Sequence, residues 1–217
     1  MAVQEQRPTA GSYDASYFTT LYGAAARQTP ADKLRDRLVR RAVQAHATGG
    51  RLLDIGCGFG FLLELFDDRW ERYGTDISAH AVGAAARRLP GARVAVADVQ
   101  DGIPFQGLFD AVLAVNVMEH LPDPGTAARA IAAHLSPGGI FVAHLPTISS
   151  PLAAWFYARS YARDETHVYR PSGEAFNQMV EAAGFWTLHA AYFPFQPAAL
   201  WRRLRPHPSY LAVFARV

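Results

Sequence analysis

The chain has 217 residues, half of them apolar and 18% charged, the balance of one globular domain; this excludes a disordered tail, a collagen-like repeat and a coiled coil. Cys57 is the only cysteine, so a disulfide framework and a multi-cysteine metal site are both excluded. A formal charge of +2 gives no case for nucleic acid; the twenty arginines beside a single lysine, Lys33, read first as codon bias, although arginine is also the better fork for carboxylate or phosphate.

The N-terminus lacks the charged-then-apolar layout of a signal peptide, and no 18 apolar residues run together, so the expectation is a soluble cytoplasmic chain. Tyr13, Tyr17, Phe18 and Tyr22 suit a short amphipathic helix that docks on something. Thr29-Pro30-Ala31-Asp32 reads as a capping box with proline in the first helical position, starting a helix that runs to about residue 47 and stops at Gly49-Gly50. Beyond it, strands are expected at 51–55, 72–77, 93–98, 109–115 and 140–145. Helices are expected between them at 61–70, 79–88 and 124–135. That alternation argues for βαβ units and a parallel sheet. An aromatic insert follows at 148–163, then a helix at 172–183 and two strands at 187–193 and 209–216. The division expected is a helical cap over 1–48 and one α/β domain over 49–217.

The segment Asp54-Ile55-Gly56-Cys57-Gly58-Phe59-Gly60 carries the chemistry. An apolar strand runs into three glycines at alternate positions, where the backbone can turn sharply and a ligand can approach it closely. A helix opening there would also present free N–H groups. A dinucleotide fold requires G-x-G-x-x-G, but the third position is Phe61 counted from Gly56 and Leu63 counted from Gly58. Asp76 stands twenty residues after Gly56 at the tip of the next strand, where an acid can accept both hydroxyls of a ribose.

This pattern resembles motif I of the class I S-adenosylmethionine-dependent methyltransferases. The resemblance extends through Asp76-Ile77, Ala97-Asp98-Val99, Asn116 to Leu121, Leu135 to Gly139, Asp164 to Tyr169 and Glu181 to Phe185, closest to small-molecule and quinone-type members. It implies a Rossmann-like α/β fold with a seven-stranded, mostly parallel sheet in the order 3-2-1-4-5-7-6. It also implies S-adenosylmethionine as cofactor, S-adenosylhomocysteine as product, and a small-molecule acceptor methylated on oxygen. On that reading Asp54, Gly56, Cys57, Gly58 and Gly60 surround the amino-acid end, with Cys57 a small filler rather than a nucleophile. Asp76 with Ile77 takes the ribose, Asp98 with Val99 the adenine, and Asn116 is a further cofactor-binding residue.

His120, His144 and His167 all lie on segments that emerge at the carboxyl ends of strands, and each is a candidate base. Tyr17, Tyr22, Trp155, Phe156 and Tyr161 are candidates for an aromatic lid over a flat or apolar acceptor. No metal is expected, because Asn116 stands where quinone-type members carry a carboxylate three residues before Glu119-His120, which leaves only an ion held by Glu119 and His120 alone as an alternative. Arg202, Arg203 and Arg205 beside Trp201 could bind an anion or a membrane surface, or be a solvated loop. A monomer or homodimer is expected, without nucleic acid or a membrane span. The alternatives are an N- or C-methyltransferase, a macromolecule methyltransferase, a nicotinamide oxidoreductase and a non-catalytic cofactor-binding module.

Overall fold

The computed structural model describes residues 8–22, 27–192 and 208–217. Residues 201–205, with the arginine cluster, lie outside the described residues. The strands are β1 (Gly50–Ile55), β2 (Trp70–Asp76), β3 (Arg93–Val96), β4 (Phe109–Val115), β5 (Leu135–Pro146), β6 (Phe185–Tyr192) and β7 (Ser209–Arg216). They form one sheet in the order β3-β2-β1-β4-β5-β7-β6. The first five strands are parallel, and β7 runs antiparallel between β5 and β6.

Among the described residues, six α-helices accompany the sheet: α1 (Ala15–Tyr22), α2 (Pro30–Gln44), α3 (Ala79–Arg88), α4 (Pro124–His134), α5 (Pro151–Ser160) and α6 (Gly173–Ala182). Alternation along the strands divides the core between two faces. Leu53, Val112, Phe141 and Phe214 pack with Ile131 of α4 and Phe176 of α6. Leu52, Leu113, Val142 and Val213 pack on the other face with Val39 and Val43 of α2 and Ala85 of α3. The capping box of α2 forms as its residues require: Asp32 N–H donates to Thr29 Oγ1 at 3.2 Å, and Thr29 N–H donates to Asp32 Oδ2 at 3.0 Å.

One expected element is missing. Residues 61–70 do not form a helix; they make a single 3-10 turn at Leu63–Leu65, and Trp70 already opens β2. Gly50 pairs with Trp70, so the chain must travel back along the whole of β1, about 20 Å at strand rise. Residues 61–69 as an α-helix would cover only about 14 Å. The segment instead stretches out and buries Leu62, Leu63, Phe66 and Trp70. Two further differences are of extent. β5 begins early, at Leu135, with its register to β4 shifted between Phe109 and Ala111. β3 stops at Val96, which leaves Asp98 in the following loop.

Candidate active site

The glycine loop leaves β1 with Gly56, Gly58 and Gly60 at φ +68, +52 and +78°, a region that favours glycine. A Cβ on Gly56 would meet Val117 Cγ2 at 2.3 Å, so that position is closed by packing as well as by conformation. The loop is pinned to the neighbouring strand: Cys57 N–H donates to Thr75 O and Gly58 N–H to Asp76 Oδ2, both at 2.9 Å. Asp76 Oδ1 accepts from Ser78 N–H at 2.9 Å, and Ser78, not Asp76, caps α3 through Ala81 N–H. Burial raises the Asp76 carboxyl above its ordinary range, and these two N–H donors pull it back.

Beside this loop lies a cavity of about 870 Å³ over the carboxyl ends of β1, β2 and β4. Of the residues expected at the cofactor, Gly56, Gly58, Asp76, Ile77, Asp98, Val99 and Asn116 line it. Asp54, Cys57 and Gly60 do not. Asp54 and Cys57 border a side cavity of about 50 Å³ behind the loop, with Gln28, Arg35 and Asp36. There, burial pushes the Asp54 carboxyl well above the usual range; the charges of Asp36 and Asp76 add to the effect and Arg35 opposes it. Cys57 Sγ fills the space over Gly74, where a Cβ would meet it at 2.9 Å, and burial raises its thiol, as suits a filler. Gly60 packs toward Ala85 and Leu89 of the helix side.

The three histidines separate. His144 is buried outside the cavity. Its Nδ1 lies 2.8 Å from Asn116 Oδ1 and its Nε2 2.6 Å from Ser209 Oγ. It therefore braces Asn116, which holds φ +56°, the one positive φ among the described non-glycine residues. His144 is corrected from base to positioning residue.

His120 and His167 line the cavity together with Glu119, their rings edge to face at 4.7 Å. Thr166 Oγ1 donates to Asp164 Oδ1 in a short hydrogen bond, so it accepts from His120 Nδ1 at 2.8 Å, and the lone pair of His120 rests on Nε2. His167 Nδ1 lies 3.0 Å from the Tyr157 hydroxyl, and its Nε2 3.8 Å from Asp164 Oδ2. Burial and the neighbouring His167 hold the His120 imidazole down at about 4; burial also lowers His167, against the pull of Asp164. Glu119 is 1% exposed, its Oε2 has no hydrogen-bond partner, and burial pushes its carboxyl up to about 8.

Residues 12–20, the start of α1 and the turn before it, roof the cavity. Phe18 stacks on Phe59 at 4.9 Å, Tyr13 lies edge to face with His120 at 5.7 Å, and Tyr17 OH donates to Asp164 Oδ2 at 3.1 Å. Tyr17 and Tyr161 line the cavity. Trp155 and Phe156 are not among the lining residues; they are 48% and 39% exposed, with Arg159 stacked over Trp155 at 3.7 Å, so the lid reading is corrected for both. The side chain of Tyr22 lies outside the described residues.

Arg35 on α2 borders both cavities and pairs with Asp32 at 3.1 Å and Asp36 at 2.8 Å. Sequence reasoning missed it because the abundance of arginine drew attention to residues 202–205. The charged residue on the inner turn of the Thr29-capped helix was its only signal.

The cavity suits S-adenosylmethionine in charge and shape. Asp76 and Asp98 bring carboxyl groups to its lining, Arg35 brings a guanidinium, and Gly56 and Gly58 expose backbone without side chains. Residues 25–190 match the model of a family described as a methyltransferase domain. The chain is 32% identical over 117 residues to a ubiquinone biosynthesis O-methyltransferase of Pectobacterium carotovorum, covering 51% of this chain and 48% of that protein. It is 33% identical over 115 residues to a trans-aconitate 2-methyltransferase of Azoarcus sp., covering 52% and 44%. It thus spans about half the length of the curated relatives it matches. Among solved structures, the N-methyltransferase NodS of Bradyrhizobium japonicum in complex with S-adenosylhomocysteine matches with a TM-score of 0.67 at 19% identity, over 92% of this chain and 97% of that one. The [4+2]-cyclase SpnF matches with a TM-score of 0.71 at 19% identity, over 96% and 97%. With the family model matched over most of its length and the expected strand order in its sheet, the chain belongs to the class I S-adenosylmethionine-dependent methyltransferases.

Proposed function

We propose that this chain moves a methyl group to an oxygen of a small-molecule acceptor. The observation that carries the reading is one continuous cavity with two chemically distinct ends: the glycine loop with Asp76, Asp98 and Val99, and the cluster of Glu119, His120 and His167. At about 870 Å³, it has the size of a small-molecule site. The named O-methyltransferase relative supports oxygen as the target.

When bound, S-adenosylmethionine supplies a methyl group already activated on a sulfonium. Asp76 would accept the ribose hydroxyls, Asp98 and Val99 would hold the adenine, and Arg35 would hold the carboxylate end. Asp54 supports Arg35 and the loop from behind. Residues 12–20 act as the cap, with Tyr13, Tyr17 and Phe18 excluding water. The chain's main task is positioning the acceptor oxygen in line, which can supply several kcal/mol of the barrier. His120 is neutral near pH 7, so its Nε2 can receive the acceptor's proton, with Thr166 and Asp164 holding the opposite edge of the ring.

The test is release of S-adenosylhomocysteine across a panel of phenols, carboxylic acids, amines and carbon acids. Acceptor-dependent release with a phenol or carboxylic acid, and methyl found on oxygen by mass spectrometry, is expected. Turnover confined to amines or carbon acids would overturn the oxygen assignment.

A further inference from the structure

We infer that Tyr17, Asp164 and Thr166 are positioning residues that join docking of the roof to the tautomer of His120, so that the cavity closes and its base is set in one event. This role presupposes methyl transfer with His120 Nε2 as the proton acceptor; the linkage itself is made of hydrogen bonds. Tyr17 OH donates to Asp164 Oδ2 at 3.1 Å, bringing together residues 147 positions apart. Asp164 Oδ1 accepts twice from Thr166, from its N–H at 3.0 Å and from its hydroxyl. A hydroxyl has one proton, so Thr166 Oγ1 meets His120 Nδ1, 2.8 Å away, as an acceptor. Thr166 O lies 3.3 Å from the same nitrogen, and a carbonyl can only accept. Both contacts keep the His120 proton on Nδ1 and the lone pair on Nε2.

The arrangement has two settings, and they part at the Thr166 hydroxyl. Its proton can point to Asp164, as it does here, or to His120 Nδ1. The second setting moves the imidazole proton to Nε2 and removes the acceptor from the cavity side. Asp164 selects the first setting by keeping Oδ1 on Thr166, and Tyr17 holds the other oxygen. Without the Tyr17 hydroxyl, Oδ2 is left facing His167 Nε2 at 3.8 Å, and a carboxylate turned toward that ring would release Thr166. Burial and the Asp164 charge push the Tyr17 hydroxyl up, so it remains a donor. Burial raises the Asp164 carboxyl, but hydrogen bonds from Thr166 outweigh it and hold the group below its ordinary range, so it remains an acceptor. The Tyr17 ring belongs to the roof independently, edge to face with Tyr13 at 5.0 Å and with Phe18 at 5.5 Å. Deleting the hydroxyl alone therefore cuts the route from roof to base and spares the ring contacts. Thr166 is thus the two-state element that both the roof and the base bias.

The test uses the full chain with ¹⁵N-labelled histidine and no methyl donor, read by long-range ¹H–¹⁵N correlation at neutral pH. The His120 signals are those lost in His120→Gln. The native chain should show His120 as the Nδ1–H tautomer. Thr166→Val should add the Nε2–H form, because only the longer carbonyl contact then remains, and Thr166→Ser should keep the native form. Tyr17→Phe should shift the tautomer in the same direction as Thr166→Val. With the most active acceptor of the panel, Thr166→Val and Tyr17→Phe should lower kcat by about tenfold and several-fold, with KM for S-adenosylmethionine little changed. Thr166→Ser should restore kcat. Circular dichroism checks that each variant is folded. An Nε2–H tautomer in the native chain overturns the linkage, as does a tautomer unchanged in folded Thr166→Val. A tautomer unchanged in folded Tyr17→Phe overturns the part assigned to the roof. Absence of turnover with every acceptor counts against methyl transfer and not against the linkage, because the tautomer is read without it.

Discussion

At the scale of single residues, Asp76 is the pivot. Its two oxygens already fix Gly58 and Ser78, and its carboxylate faces the cavity. Asp76→Ala should weaken S-adenosylhomocysteine binding at least tenfold by calorimetry, since a polar pair left unmatched in a buried site costs about 1–3 kcal/mol. His144 acts differently. His144→Leu should lower the urea midpoint, by about 1–3 kcal/mol in stability, because Asn116 and Ser209 lose their partner. The kinetic pH profile should keep its shape; a lost ionisation there would restore His144 as a base.

Glu119 gives a prediction in pH. Its carboxyl is raised to about 8 from an ordinary 4.5, so the folded state favours the protonated form. Stability from this group is complete below about 4.5 and is lost as pH rises toward 8. In the metal-free chain, Glu119→Gln should therefore melt at least a few degrees above the parent at pH 8.5, and the gap should shrink at pH 5. A gap independent of pH would contradict the burial argument. The glycines and Asp76 were legible in the sequence because a strand-to-turn junction is local. His144 was not, because its partner Ser209 lies 65 residues away on β7.

At the scale of elements, the alternation of apolar runs revealed most strands and helices, and the capping box located the start of α2. The helix expected at 61–70 failed for a reason outside any local window, namely the distance back to the start of β1. The roof was only half legible. The spacing of Tyr13, Tyr17 and Phe18 indicated a docking helix but not its dock on Phe59 and Asp164. Phe18→Ala should speed amide exchange over 15–22 and weaken S-adenosylhomocysteine several-fold, while the global unfolding midpoint moves little. Unchanged exchange there would mean that α1 is not held by this stacking.

At the scale of the whole molecule, the sheet order places β1, β2 and β4 side by side, so their carboxyl ends share one crevice, as open α/β sheets provide for ligands. No helix among the described residues is long and apolar enough to cross a membrane. The cavity's roof, floor and far wall come from α1, the glycine loop and residues 160–167, segments far apart in the chain. That is why the cofactor end could be read from consecutive motifs, whereas His120, His167, Tyr17 and Tyr161 were separate candidates that only the fold brings together. The measurement that bears most directly on the account is calorimetric titration of the full chain at neutral pH with S-adenosylmethionine and S-adenosylhomocysteine. Both should bind at one per chain, with affinity weakened at least tenfold by Asp76→Ala. No binding of either to the folded native chain would contradict it.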